Sequence, residues 1–253
     1  MNNLNISNTS LFFSVMLTMF AISISYKEKL GLGKEVAFAT VRGVVQLVIV
    51  GYVLAYIFKL DNLFVTMGMI LFMIINAAIN SSHRAGDIPN SFKISFISIF
   101  VGTIISLILL VVTKAILWTP AQVVPIVGML ASNTMIAIGL VYRNLISKFE
   151  TQRQQVLEKL ALGATVKQAS LSIIRESIRS GMQSSIDSTK TVGIVSLPGM
   201  MSGLIFAGVD PTEAIRYQIV IMCMLIASTS ISAILASYLS YITFYNDKSQ
   251  LIY

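Results

Sequence analysis

Seven long, predominantly apolar runs, at 10–26, 36–58, 63–79, 94–112, 123–142, 191–208 and 219–243, dominate this chain. A hydrocarbon core about 30 Å thick needs about 20 helical residues at 1.5 Å each, so each run matches one crossing. The runs are continuously apolar, whereas barrel strands are short and alternate, so helices are the expected element. Of the 253 residues only 11% are charged and 55% are hydrophobic, with a mean hydropathy of +0.81. A soluble chain carries about 25% charged residues, and this one lacks the charge to keep such a surface in water. No Lys or Arg precedes the first run, and Tyr26, Lys27 and Glu28 follow it in place of a small-residue cleavage site, so it reads as a retained span. The expected fold is all-α: a polytopic membrane protein of about seven transmembrane helices forming one domain over 1–253.

The net charge of +7 sorts by side. With the N-terminus outside, fifteen of the eighteen Lys and Arg residues fall on the inner side, leaving only Lys59, Lys114 and Arg216 outside. Basic residues near span ends stay preferentially in the cytoplasm, so the basic excess is an orientation signal and not a nucleic-acid footprint. The C-terminus is then cytoplasmic. The lone Cys223 cannot close an internal disulfide, and one histidine cannot build a multi-histidine metal site. There is no HExxH and no convincing catalytic set, so no enzyme is expected. Nor is there a phosphate-binding loop. Gly33-Lys34-Glu35 lacks the upstream glycine and the hydroxyl residue, and Thr189-Lys190-Thr191 lacks the glycine before lysine. The chain is therefore expected to bind no cofactor of its own.

The connection 143–190 differs in texture from the rest. From Asn144 to Leu162 apolar residues recur at helical intervals, Gly163 interrupts, and Thr165 with Gln168 forms a capping-box pattern that opens a second amphipathic run. A cytoplasmic amphipathic helical hairpin results, whose apolar face needs the bilayer surface, the spans or another protein to cover it. Residues 157–169, LEKLALGATVKQA, resemble the cytoplasmic coupling loop of ABC-transporter permeases, although Glu158 stands five residues before the glycine where importers place their acid six before it. That resemblance assigns ATPase coupling to Glu158, Leu160, Ala161, Leu162, Gly163, Ala164 and Thr165.

Together with 125–144 (PIVGMLASNTMIAIGLVYRN), 160–165 (LALGAT) and 195–219 (VSLPGMMSGLIFAGVDPTEAIRYQI), nearly the whole chain resembles the bacterial iron-export ABC permease family, which is related to plant aluminium-tolerance permeases. The resemblance implies a plasma-membrane subunit, present in two copies, that pairs with a separate ATP-hydrolysing subunit carrying the ATP and Mg. It also implies export of a metal ion, iron by family. Two alternatives stay open: the same architecture moving another small solute, such as a nucleotide sugar or a metal conjugate, and an ATP-independent channel or carrier.

Polar residues inside the runs are the pathway candidates, because lipid-facing polar groups are costly. Asn76, Asn80 and His83 share a stripe, and both interhelical hydrogen bonding and pathway lining explain the asparagines. Arg42 and Gln46 pair similarly, with Arg42 expected to snorkel. Asn133 lies in a polar patch with Ser132 and Thr134 near Gly128, where close packing is the competing reading. Leu197, Pro198, Gly199, Met200 and Met201 fall in the sixth run. A proline there frees a carbonyl, and the two thioethers are candidate metal contacts or gap fillers. Asp187 and Lys190 have salt-bridge spacing. Asp210-Pro211-Thr212-Glu213 reads as a helix start, with Asp210 and Glu213 as a second candidate metal site.

Overall fold

The computed structural model describes residues 7–60, 62–246 and 248–252. The chain divides into two compact units, Met1–Leu60 and Asp61–Tyr253. The first holds α1 (Asn8–Lys27) and α2 (Gly33–Leu60), packed on each other through a turn in which Lys29 and Gly31 adopt positive φ. The apolar residues of α1 are spread around every side, as in a helix surrounded by apolar material. Arg42 and Gln46 lie within α2.

The second unit is a helical bundle. Its elements are α3 (Leu63–Ser82), α4 (Ser91–Val112), α5 (Pro120–Thr151), α6 (Arg153–Ala161), α7 (Val166–Thr191), α8 (Gly199–Phe206), α9 (Pro211–Ser240) and a closing 3-10 turn, Tyr241–Phe244. Among the described residues no strand forms, and six helices, α1 to α5 and α9, are long and apolar enough to cross a membrane. The 32-residue α5 packs on α3, α4, α7 and α9 and supplies more of the fully buried apolar residues than any other helix, from Val123 to Phe149.

Lipid tails are as apolar as leucine, so close packing and internal hydrogen bonds must hold such a bundle together. Both are present. A Cβ on Gly102 of α4 would stand 2.1 Å from the Ser232 Oγ of α9, and that hydroxyl donates to the Ser98 carbonyl at 2.9 Å. A Cβ on Gly181 of α7 would stand 2.6 Å from the Val141 side chain and 2.9 Å from the Ala137 carbonyl of α5. Tyr142 of α5 is fully buried, and its hydroxyl lies 2.8 Å from the Ser95 hydroxyl of α4.

The expected sixth run, 191–208, is not one continuous helix, and this corrects the sequence reading. The chain leaves the helix at Val192, Gly193 takes a φ of 83°, and the Gly193 N–H donates to the Ser196 carbonyl at 2.9 Å. Pro198, with no N–H to give, caps α8, which has only eight residues. What precedes the break is also different from expectation. The second helix of the expected hairpin is α7, and it continues through the polar stretch to Thr191, antiparallel along α5. Lys148 pairs with Glu176 at 2.5 Å, Ser177 donates to Asn144 at 3.0 Å, and Gly181 meets Val141. The route from the hairpin to the start of α9 therefore runs through α7, a break at 192–198, and α8. Residues 143–151, placed in the hairpin by sequence, belong to α5, and the hairpin proper starts at Arg153.

An aromatic latch closes the hairpin end. Phe149 of α5 stacks on Phe244 at 4.3 Å, and Tyr245 sets its edge to Phe149 and hydrogen-bonds Ser170 of α7 at 2.6 Å. Burial holds the Tyr245 phenol above its ordinary pKa, against the opposing pull of that hydrogen bond. Tyr245→Phe strands the fully buried Ser170 hydroxyl and is expected to cost about 1–2 kcal/mol, read as a lower Tm in detergent. Combining it with Ser170→Ala should cost less than the sum of the two single changes.

Candidate functional site

The hairpin turn is built from two complementary caps. At the end of α6 the Gly163 N–H donates to the Leu160 carbonyl and the Ala164 N–H to the Lys159 carbonyl, both at 3.0 Å. This is a Schellman closure, with Gly163 at φ 88° in the left-handed region that glycine tolerates. Two residues later the Thr165 side chain accepts the Gln168 N–H while the Gln168 side chain accepts the Thr165 N–H, completing the expected capping box. Leu160 packs on the core, Ala161 is exposed, and Leu162 projects from the turn at 88% exposure. Glu158 is exposed and accepts a hydrogen bond from Gln154 at 3.1 Å. The assigned residues thus form one short turn with an apolar tip.

A second feature lies where α7 breaks. A cavity of about 260 Å³ is lined by Asn133 of α5, by Ser185, Ser188, Thr189 and Thr191 of α7, by Ser196 and Pro198 of the break, and by Gln218 and Met222 of α9. Several of its polar groups have spent their donors locally. The Asn133 amide donates to the Met129 carbonyl at 2.8 Å, the Thr189 hydroxyl to the Ser185 carbonyl at 2.8 Å, and the Thr191 hydroxyl to the Asp187 carbonyl at 3.1 Å. Gln218 is 8% exposed, and its Oε1 is buried without a hydrogen-bond partner. The Thr189, Thr191 and Gln218 oxygens are therefore left as acceptors among the cavity's polar groups. Asp187 follows its own separate arrangement, receiving the Gln183 amide on both oxygens and pairing with Lys190 at 3.6 Å.

Of the pathway candidates, Asn133 and Pro198 reach this cavity. Gly199 starts α8 next to it, Met200 packs on the apolar core, and Met201 is half-buried in the same helix, so neither methionine lines the cavity. Asn76 and Asn80 lie exposed on α3, with the Asn80 amide donating to the Asn76 carbonyl at 2.8 Å. Among the described residues no group of three or more His, Cys, Asp or Glu is placed to hold a metal.

Asp210 and Glu213 sit where the helix-start reading puts them. The Thr212 hydroxyl and backbone N–H both donate to Asp210, and this holds its carboxyl below the ordinary range. Glu213 pairs with Arg216 at 3.2 Å. Because the Asp210 pKa is lowered on folding, its contribution is full above the unfolded value and fades as pH falls through the folded one. Asp210→Asn keeps a cap but removes the titration, so Tm measured from pH 6 down to pH 3 should fall less steeply than in the native chain.

Ser185, Ser188, Thr189, Thr191, Ser196, Gln218 and Met222 escaped the sequence reading. The signal was present: Ser177, Gly181, Ser185 and Thr189 recur every four residues, the small-residue spacing of a helix packed tightly inside a membrane bundle.

The model of an uncharacterised protein family, UPF0014, matches residues 8–245. This chain belongs to the UPF0014 family. It is 51% identical over 252 residues to the probable iron export permease protein FetB of Escherichia coli, covering 100% of this chain and 97% of that one. The UPF0014 membrane protein STAR2 of Oryza sativa is 36% identical, covering 91% of this chain and 81% of its own length. The protein ALUMINUM SENSITIVE 3 of Arabidopsis thaliana is 34% identical, with coverages of 94% and 87%. No solved structure matches. The resemblance read from the sequence therefore holds, and with its long apolar helices this UPF0014 chain is a multi-pass membrane protein.

Proposed function

We propose that this UPF0014 chain is the permease subunit of an ATP-driven exporter in the plasma membrane, with its N-terminus outside. Two copies pair with separate ATPase subunits that hold ATP and Mg, and the cargo is a metal ion, iron by analogy with the bacterial relative's name. The observation that carries the reading is the doubly capped α6–α7 turn with Leu162 exposed at its tip. An apolar side chain held out on a rigid turn is a preformed anchor for a partner's pocket. Behind the turn, α5 and α7 lead directly to the cavity, so displacement of the turn reaches the groups around Asn133 and Thr189.

The test is reconstitution in liposomes with the soluble protein of an adjacent reading frame that carries a phosphate-binding loop. Iron movement that requires hydrolysable ATP supports the proposal. Iron movement at full rate by the permease alone, with or without nucleotide, overturns it.

A further inference from the structure

We propose that the α5–α7–α9 cavity carries a metal cation with its first shell of water intact, recognising the shell and not the metal. The inference rests on the metal-export reading and defines the chemical form of the cargo.

The lining chemistry leads there. The polar side chains of the cavity carry hydroxyls and carboxamides, and among the described residues no carboxylate, imidazole or thiolate lines it. First-row metals such as iron(II) take nitrogen, sulfur or carboxylate donors in their inner shell. A neutral hydroxyl is no stronger a ligand than the water it would replace, so nothing in this cavity drives a metal ion to shed its shell. The same groups suit the shell itself. The single donors of Thr189 and Thr191 are committed to backbone carbonyls, which leaves their oxygens as acceptors, and among the described residues the buried Gln218 Oε1 has no donor. Water bound to a cation points its hydrogens outward and supplies donors on every side. Size permits it as well: at about 10–15 Å³ of cavity space per water, a cavity of about 260 Å³ has room for a six-water shell.

The probe is cobalt(III) hexaammine, whose six ligands do not exchange during an experiment and present only N–H donors. Equilibrium dialysis against the purified permease is expected to give saturable binding that hydrated magnesium displaces. Gln218→Leu should weaken it about tenfold, and Gln218→Glu, of the same shape with an added charge, should tighten it by a similar factor. Both variants are first checked for native elution on size exclusion. Absence of saturable binding, or equal affinity in all three proteins, overturns the proposal. In liposomes with the ATPase, the complex should itself be carried and should compete with iron. Iron transport untouched by the complex overturns the proposal and leaves the exporter reading standing. Saturable, Gln218-dependent binding by a permease that moves iron without nucleotide does the reverse.

Discussion

Gly163→Pro is expected to leave the protein in the membrane and to abolish its association with the proposed ATPase subunit. Gly163 sits at φ 88°, and a proline ring holds φ near −65°, so the variant cannot form the turn. It also deletes the N–H that donates to the Leu160 carbonyl, and the Schellman closure opens. The damage stays local, because a Cβ at Gly163 has nothing within 4 Å and the buried contacts of α7 begin at Ala169. Leu162→Asp attacks the same docking without disturbing the backbone, placing a charge where an exposed leucine would enter a partner's pocket. Loss of a central anchor of this kind costs about 2–4 kcal/mol, or roughly thirty- to a thousandfold in Kd. Leu162→Met, which keeps volume and polarity, should stay within a few-fold. Copurification and equilibrium binding of the tagged pair read all three variants. Native affinity in Leu162→Asp would show that the tip is not the anchor.

Gly181→Val is the second large effect, and it falls on stability. The first added carbon stands 2.6 Å from the Val141 side chain and 2.9 Å from the Ala137 carbonyl, and a backbone oxygen cannot swing aside as a flexible side chain can. Separating α7 from α5 is the only relief. Overpacking costs about 1–3 kcal/mol where neighbours can adjust, and this site lies at or above the upper end. The protein should lose thermal stability in detergent and, because Asn133 of α5 and Thr189 of α7 both line the cavity, transport as well. Gly203→Ala is the matched control: nothing lies within 4 Å of its added carbon, and the change should be within about 0.5 kcal/mol. A Gly181→Val protein that melts with the native one would mean that α5 and α7 do not pack this closely.

What could be read from the sequence divides along physical lines. Apolar runs report helices wherever lipid or a buried core surrounds them, so five of the seven spans coincide with long helices and the last extends into α9. The hairpin turn was legible because its logic is local: a glycine at a helix end and a Thr-to-Gln capping box need no distant partner. The cavity was not, because its walls come from α5, α7, α9 and the break, and because hydropathy mistakes a polar helix packed into a bundle for a connection. Gln183, Asp187 and Lys190 made α7 look watery, while the small residues that seat it on α5 sat among them. The methionines drew attention through their chemistry, yet Met200 turns to the apolar core. Side-chain direction at a helix break is set by tertiary packing, which a single chain's spacing does not encode.

Two neighbouring stretches of the bundle differ in stiffness. Helix α5 runs 32 residues with Pro125 near its start, and from that proline to Thr151 it is a strut about 40 Å long, so a tilt of ~5° at its Thr151 end sweeps the opposite end through about 3.5 Å. Beside it, the α7–α8 segment is jointed, its two rods linked by residues 192–198 that lie outside any helical ladder. When the strut leans, the jointed neighbour can fold at its elbow without either rod melting, and the void between them changes shape at that elbow.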